Sequence, residues 1–91
     1  GIYPDSKFPG FKHIILKPYI PKELKQFEAT HNSPYGKIYS GWKQVGKKIK
    51  YKVIVPPNST ATLFLPDNVS DSNKRMELKS GTYSFDLNFI K

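Results

Sequence analysis

The chain of 91 residues has no cysteine, one methionine, one tryptophan and one arginine. Without cysteine there is no disulfide framework, no thiolate metal site and no thiol nucleophile. Of its 15 basic residues only Arg75 carries the guanidinium fork that reads phosphate and guanine edges, so the formal charge of +8 is a lysine charge. Lysines spread evenly over a surface serve solubility, and no specific nucleic-acid partner is expected. No apolar run approaches the roughly 20 residues of a membrane-spanning helix, so no membrane insertion is expected. No signal-peptide pattern and no initiator Met open the chain, which begins Gly1-Ile2-Tyr3-Pro4-Asp5. A segment of a longer protein is the expectation.

A hydrophobic fraction of 37% and an aromatic fraction of 14% suffice for one small two-layered core. Pro, Gly, Asn, Asp and Ser punctuate the chain at intervals of roughly 8–12 residues, the cadence of an all-β sandwich or barrel. We therefore expect an all-β fold, an antiparallel β-sandwich of seven to eight short strands. Residues 11–17 (F-K-H-I-I-L-K) form a strand with Phe11, His13 and Ile15 on one face and Ile14 and Leu16 on the other. A strand apolar on both faces is buried on both or faces another domain. Residues 24–30 read as a strand with Phe27 and Ala29 inward, after a proline-broken connector and in preference to a short helix.

The turn cluster Asn32-Ser33-Pro34-Tyr35-Gly36 leads into residues 37–45, with Ile38, Ser40 and Trp42 on one face and Tyr39 and Val45 on the other. Gly46-Lys47 reverses the chain as Gly-X hairpins do. Residues 48–55 then alternate, Ile49, Tyr51, Val53 and Val55 inward and Lys48, Lys50 and Lys52 in water. Pro56-Pro57 ends that strand, since neither residue can donate a ladder hydrogen bond. Residues 60–65 put Ala61, Leu63 and Leu65 on one face, a short strand covers 76–79, and the last places Tyr83, Phe85, Leu87 and Phe89 together.

Catalytic chemistry has little to stand on. The seven acids fall on outer faces or in loops, with no feature that would tune a carboxyl pKa, and no Gly-x-Ser-x-Gly elbow accompanies His13 or His31. No catalytic residue is assigned. The oxygen-rich residues 67–73 lack the calcium-loop rhythm and have Leu78 where the bidentate Glu should fall, so they read as an Asx-rich turn. No metal site and no cofactor are expected. His13 between Phe11 and Ile15 reads as a satisfied, half-buried histidine, and Trp42 as core. Tyr39, Tyr35 and Tyr19 are the tyrosines that could contact a sugar, in which case the chain is a carbohydrate-binding module. Lys48, Lys50 and Lys52 beside tyrosines could track a single nucleic-acid strand, but a solvated strand face explains them as well.

Four motifs occur in order: Pro9-Gly10-Phe11-Lys12-His13-Ile14-Ile15-Leu16-Lys17-Pro18; Ser33-Pro34-Tyr35-Gly36-Lys37-Ile38 with Ser40 and Trp42; Val55-Pro56-Pro57-Asn58-Ser59-Thr60-Ala61-Thr62-Leu63-Phe64-Leu65-Pro66; and Ser80-Gly81-Thr82-Tyr83-Ser84-Phe85. Each is short, and their order carries the resemblance. The series resembles the C-terminal β-sandwich domain of bacterial α-L-rhamnosidases, which are glycoside hydrolases. The resemblance implies that residues 1–8 connect from a helical catalytic barrel and that residues 9–91 are an accessory sandwich packed on it. It implies too that the acids of the inverting hydrolysis of terminal α-L-rhamnose lie in the barrel, with none carried by this chain. The implied partners are that barrel and, through it, a rhamnose-containing glycan, in the periplasm or outside a bacterial cell. Phe11, His13 and Ile15 are the expected interdomain contacts.

Overall fold

Lys48, Lys50 and Lys52 alternate with Ile49, Tyr51, Val53 and Val55, and an extended chain sends the two sets to opposite sides. The same rule sorts most of the molecule into inner and outer faces. The computed structural model describes residues 2–4, 12–70 and 75–89. Those residues form nine strands and no helix: β1 (Ile2–Pro4), β2 (His13–Leu16), β3 (Gln26–Ser33), β4 (Gly36–Val45), β5 (Lys48–Val55), β6 (Thr60–Phe64), β7 (Val69–Ser70), β8 (Arg75–Leu78) and β9 (Gly81–Phe89). The fold is an all-β sandwich. One sheet has the order β1-β2-β6-β8 and the other β3-β4-β5-β9-β7. The two strands that punctuation alone does not reveal, β1 and β7, are three and two residues long.

All pairings are antiparallel except that of β2 with β6, which is parallel with His13 opposite Thr60 and Leu16 opposite Leu63. A parallel pair needs a crossover, and here β3, β4 and β5 of the other sheet supply it. The return is tight. Asn58 takes a positive φ of 63° beside Pro56 and Pro57, and the Thr60 amide donates to the Lys12 carbonyl at 3.0 Å. At the β4–β5 hairpin Gly46 holds φ at 63° as the first residue of a two-residue loop, a conformation that costs glycine nothing.

Ile14, Leu16, Ala61, Leu63 and Leu78 from the four-stranded sheet meet Ile38, Trp42, Ile49, Tyr51, Val53, Val55 and Leu87 from the five-stranded one, all buried in a single cluster. Each fully buried Ile or Leu contributes about 1.5–3 kcal/mol. Across the inner face of the larger sheet runs an aromatic row, Phe27 opposite Trp42, Trp42 opposite Tyr51 and Tyr51 opposite Phe85. Tyr51 and Phe85 stack with ring centroids 6.1 Å apart. The Tyr51 hydroxyl lies in the core and is satisfied by the Ser40 hydroxyl at 2.7 Å.

Three local expectations are corrected. Asn32 and Ser33 continue β3, and the turn narrows to Pro34 and Tyr35. Phe27 does face inward, opposite Trp42, yet it is 51% exposed, because β3 is the edge strand of its sheet and the smaller sheet ends on that side in the three-residue β1. Within residues 67–73, Val69 and Ser70 pair with β9, and 71–73 lie outside the described residues.

The buried hydroxyl pair yields a double-mutant test. Ser40→Ala strands the Tyr51 hydroxyl in the core and should cost about 1–3 kcal/mol in urea unfolding. The double variant with Tyr51→Phe should cost less than the sum of the two single changes. Strict additivity would show that the pair is uncoupled. Burial, partly offset by the Ser40 hydrogen bond, also pushes the Tyr51 phenol up to about 12. A folded pKa above the unfolded value of about 10 stabilises the fold fully below pH 10, and that contribution is lost as pH rises towards 12. Tyr51→Phe should therefore show less loss of stability between pH 9 and 11 than the parent sequence.

Candidate functional site

The outer face of the four-stranded sheet holds the most connected polar group among the described residues. Strand alternation turns His13 and Ile15 of β2, Thr60, Thr62 and Phe64 of β6, and Arg75 and Glu77 of β8 to this face, away from Ile14, Leu16, Ala61, Leu63 and Leu78. Register sets the neighbours, with His13 beside Thr60, Ile15 beside Thr62 and Thr62 beside Glu77. The Thr62 hydroxyl donates to Glu77 Oε2 at 2.8 Å, and His13 Nε2 lies 2.8 Å from the same hydroxyl oxygen. Because that oxygen gives its proton to the carboxylate, Nε2 carries a hydrogen and donates to it. His13 Nδ1 lies 2.6 Å from the Thr60 hydroxyl. Arg75 closes the chain on Glu77 Oε1 at 3.2 Å.

This is the wrong order for nucleophilic catalysis. In a triad the histidine stands between hydroxyl and carboxylate and takes the hydroxyl proton. Here the hydroxyl stands in the middle, 5% exposed, and the histidine donates to it. The Thr62 hydrogen bond first, and the Arg75 guanidinium after it, hold Glu77 below the usual carboxylate range. Lys50 does the same for Asp86, across a 2.8 Å ion pair. A general acid needs the opposite shift. What the network does is tie β2, β6 and β8 together on their outer side. Beside it, Lys17 and Arg75 cap the Phe64 ring at 5.4 and 5.6 Å, while Ile15 stays half-buried on the same face.

The other expected contacts scatter. Phe11 lies outside the described residues. Tyr39 points to the outer face of the five-stranded sheet, where its hydroxyl donates to Glu28 at 2.8 Å. That bond, with some burial, raises its phenol pKa. Gly41 permits the arrangement, because a Cβ there would collide with the Tyr39 ring. Lys43, Lys50 and Lys52 border the same shallow hollow, with Lys50 engaged by Asp86. Tyr35 sits on the β3–β4 turn. Tyr19 is 77% exposed on the connector before β3 and lines a groove on the inner side. The three tyrosines thus form no shared platform. Sequence reasoning missed Thr62 and Glu77, because a threonine alternating with core residues reads as a solvated position.

Residues 1–80 match the family profile described as the bacterial alpha-L-rhamnosidase C-terminal domain. An alpha-L-rhamnosidase of Formosa agariphila is 34% identical over 82 residues, which is 90% of this chain and 9% of the relative. One from Streptomyces avermitilis is 27% identical over 74 residues, 81% of this chain and 7% of the relative. The chain therefore spans less than a tenth of the length of these relatives. Among solved structures, the alpha-L-rhamnosidase of Aspergillus terreus superimposes with a TM-score of 0.78 at 24% identity, over 93% of this chain and 9% of that one. That of Dictyoglumus thermophilum gives 0.72 at 21%, over 88% and 11%. At these identities the structural likeness shows the fold.

The outer network has a pH signature. A carboxylate whose folded pKa is depressed stabilises the fold above its unfolded value near 4.5, and that contribution is lost as pH falls through the folded value. Unfolding midpoints measured from pH 6 down to pH 3 should fall less steeply in Glu77→Gln than in the parent. Identical slopes would mean that Glu77 carries no net interaction in the fold.

Proposed function

The chain belongs to the bacterial alpha-L-rhamnosidase C-terminal domain family, and on that premise we propose that it is a non-catalytic accessory domain of an α-L-rhamnosidase. Its part is to pack against the catalytic portion of a longer chain, a helical barrel, and to stabilise it. That portion performs the inverting hydrolysis of terminal α-L-rhamnose on glycans, in the periplasm or outside the cell. The observation that carries the packing role is the two-sidedness of β2. Ile14 and Leu16 fill the sandwich core, while His13 and Ile15 on the opposite face are half-buried and held rigid by the threonine–glutamate network. An isoleucine on an ordered outer face suits a permanent contact, since an interface between domains buries apolar surface that water would otherwise meet. The lack of catalysis in the chain itself is supported by Glu77 and Asp86, each shifted away from general-acid behaviour by a cation or hydroxyl beside it.

Two experiments test the reading. Hydrolysis of a chromogenic α-L-rhamnoside should be measured for the full enzyme, the enzyme lacking this segment, and the segment alone. Activity is expected in the first and not in the last, and activity in the segment would overturn the accessory role. In the second experiment Ile15→Asp should cost the 91-residue chain about 1 kcal/mol or less, the scale of a half-exposed strand position. It should cost the full enzyme about 2–4 kcal/mol, because a charge would be buried without a partner. Equal losses in both would remove Ile15 from the interface.

A further inference from the structure

The inner face of β3 lies at the edge of the larger sheet and is left partly open. Phe27 and Ala29 lie there beside Trp42 and Ser40, and the connector of residues 17–25 folds back over them. The connector is well anchored. The Gln44 backbone N–H donates to the Lys25 carbonyl at 2.8 Å, and the Gln44 side chain donates to the carbonyls of Lys22 and Leu24 at 3.1 and 2.6 Å. Between connector and sheet a groove of about 270 Å³ remains, lined by Pro18, Tyr19, Pro21, Leu24, Phe27 and Trp42. Leu24 is 42% exposed and Phe27 51%, large apolar groups left facing water.

A second observation tells what the groove lacks. Trp42 is 4% exposed, and its indole Nε1–H is buried without a hydrogen-bond partner among the described residues. Of the other polar side chains in the lining, Ser40 is already bonded to Tyr51 and Tyr19 carries a single hydroxyl. An occupant of the groove must therefore bring mostly apolar surface. A sugar brings a hydroxyl on almost every carbon, and this lining would leave nearly all of them unpaired at a cost. A polypeptide segment brings an apolar side chain flanked by a carbonyl. In the relatives named above, more than nine-tenths of the chain lies outside the matched region, so folded polypeptide adjoins this domain at high effective concentration.

We propose that the Tyr19–Leu24–Phe27–Trp42 groove is a second docking site for the catalytic portion of the parent enzyme, filled by an apolar side chain of that portion. This rests on the accessory-domain reading and adds to it a contact distinct from the outer face of β2.

The test compares the 91-residue chain with the full rhamnosidase. Amide hydrogen exchange across residues 18–30 should slow by about tenfold or more in the full enzyme. Leu24→Asp and Trp42→Phe should each lower the melting temperature more in the full enzyme than in the chain alone. Should either variant fail to fold, exchange in the unsubstituted protein decides. Equal exchange in both contexts, or equal losses from both variants, would overturn the proposal. So would movement of the single indole resonance of the 15N-labelled chain on addition of millimolar L-rhamnose, which would give the groove to a sugar. Ile15→Asp separates the two readings. If it acts selectively in the full enzyme while Leu24→Asp and Trp42→Phe do not, the groove proposal fails and the accessory role stands. If none of the three acts selectively, both fail.

Discussion

A strand paired along both edges must satisfy two registers at once, and β5 does so over nearly its whole length. Its residues pair with β4 from Lys48 opposite Val45 to Ile54 opposite Tyr39, and with β9 from Lys48 opposite Asn88 to Val55 opposite Gly81. A slip of one residue on either side would send Ile49, Tyr51, Val53 and Val55 to water and Lys48, Lys50 and Lys52 into the core. Burying a lysine without a partner is costly enough to exclude that arrangement. The alternation in β5 thereby fixes the inner faces of β4 and β9, and with them the aromatic row from Phe27 to Phe85. It also fixes where the Tyr51 hydroxyl falls. Ser40 has to stand opposite Val53, one register step along, for its hydroxyl to reach that phenol.

The smaller sheet has no such central strand and is held differently. Its parallel pair, β2 with β6, is only four residues long. Pairing this short needs support from both faces. On the inner side Ile14, Leu16, Ala61 and Leu63 supply burial. On the outer side the hydrogen-bond chain runs from Thr60 of β6 to His13 of β2, back to Thr62 of β6 and on to Glu77 of β8, and so links the three strands. His13 thus holds two strands whose sequence positions are far apart, which a hydrophobic residue at that place could not do. This is why a polar network occupies a face that alternation alone would assign to solvent.

What the sequence makes legible follows from these two modes. The inner residues of β4, β5 and β9 can be read from period-two alternation because each strand is long enough to show the period and one face is uniformly apolar. β1 and β7 are too short to show any period. Alternation names the side of a strand but not whether another sheet extends over it, so Phe27 could be placed inward without revealing that it stays exposed. Thr62 escaped for a related reason. Its hydroxyl is engaged by two distant side chains, and nothing within β6 announces them. The tyrosines were legible one by one, but their separation onto the turn, the outer face and the groove is a property of the assembled sheets. The parallel pairing was equally hidden, since it depends on a return across three strands and not on any local pattern.

The distribution of surfaces gives the domain a front and a back. β1 and β3, the edge strands of the two sheets, touch one another, so they mark the same flank of the sandwich. The half-buried Ile15 lies one strand in from that flank on one layer, and the open groove beside Phe27 lies at the flank on the other. Lys48, Lys50 and Lys52 sit on the outer face of the larger sheet, near its middle strand, with Asp86 as partner for Lys50. The lysine strip of β5 and the open apolar flank therefore lie apart. On the accessory-domain proposal, a partner wrapped around the β1–β3 flank would meet isoleucine on one side and phenylalanine and leucine on the other, away from the lysine face. Of the two contacts, the groove is the more demanding. Ile15 suits any apolar surface, whereas the groove admits only a side chain that fits between connector and sheet. On the accessory-domain proposal, the contact at Ile15 would hold the neighbouring portion in place, and the groove would fix its orientation.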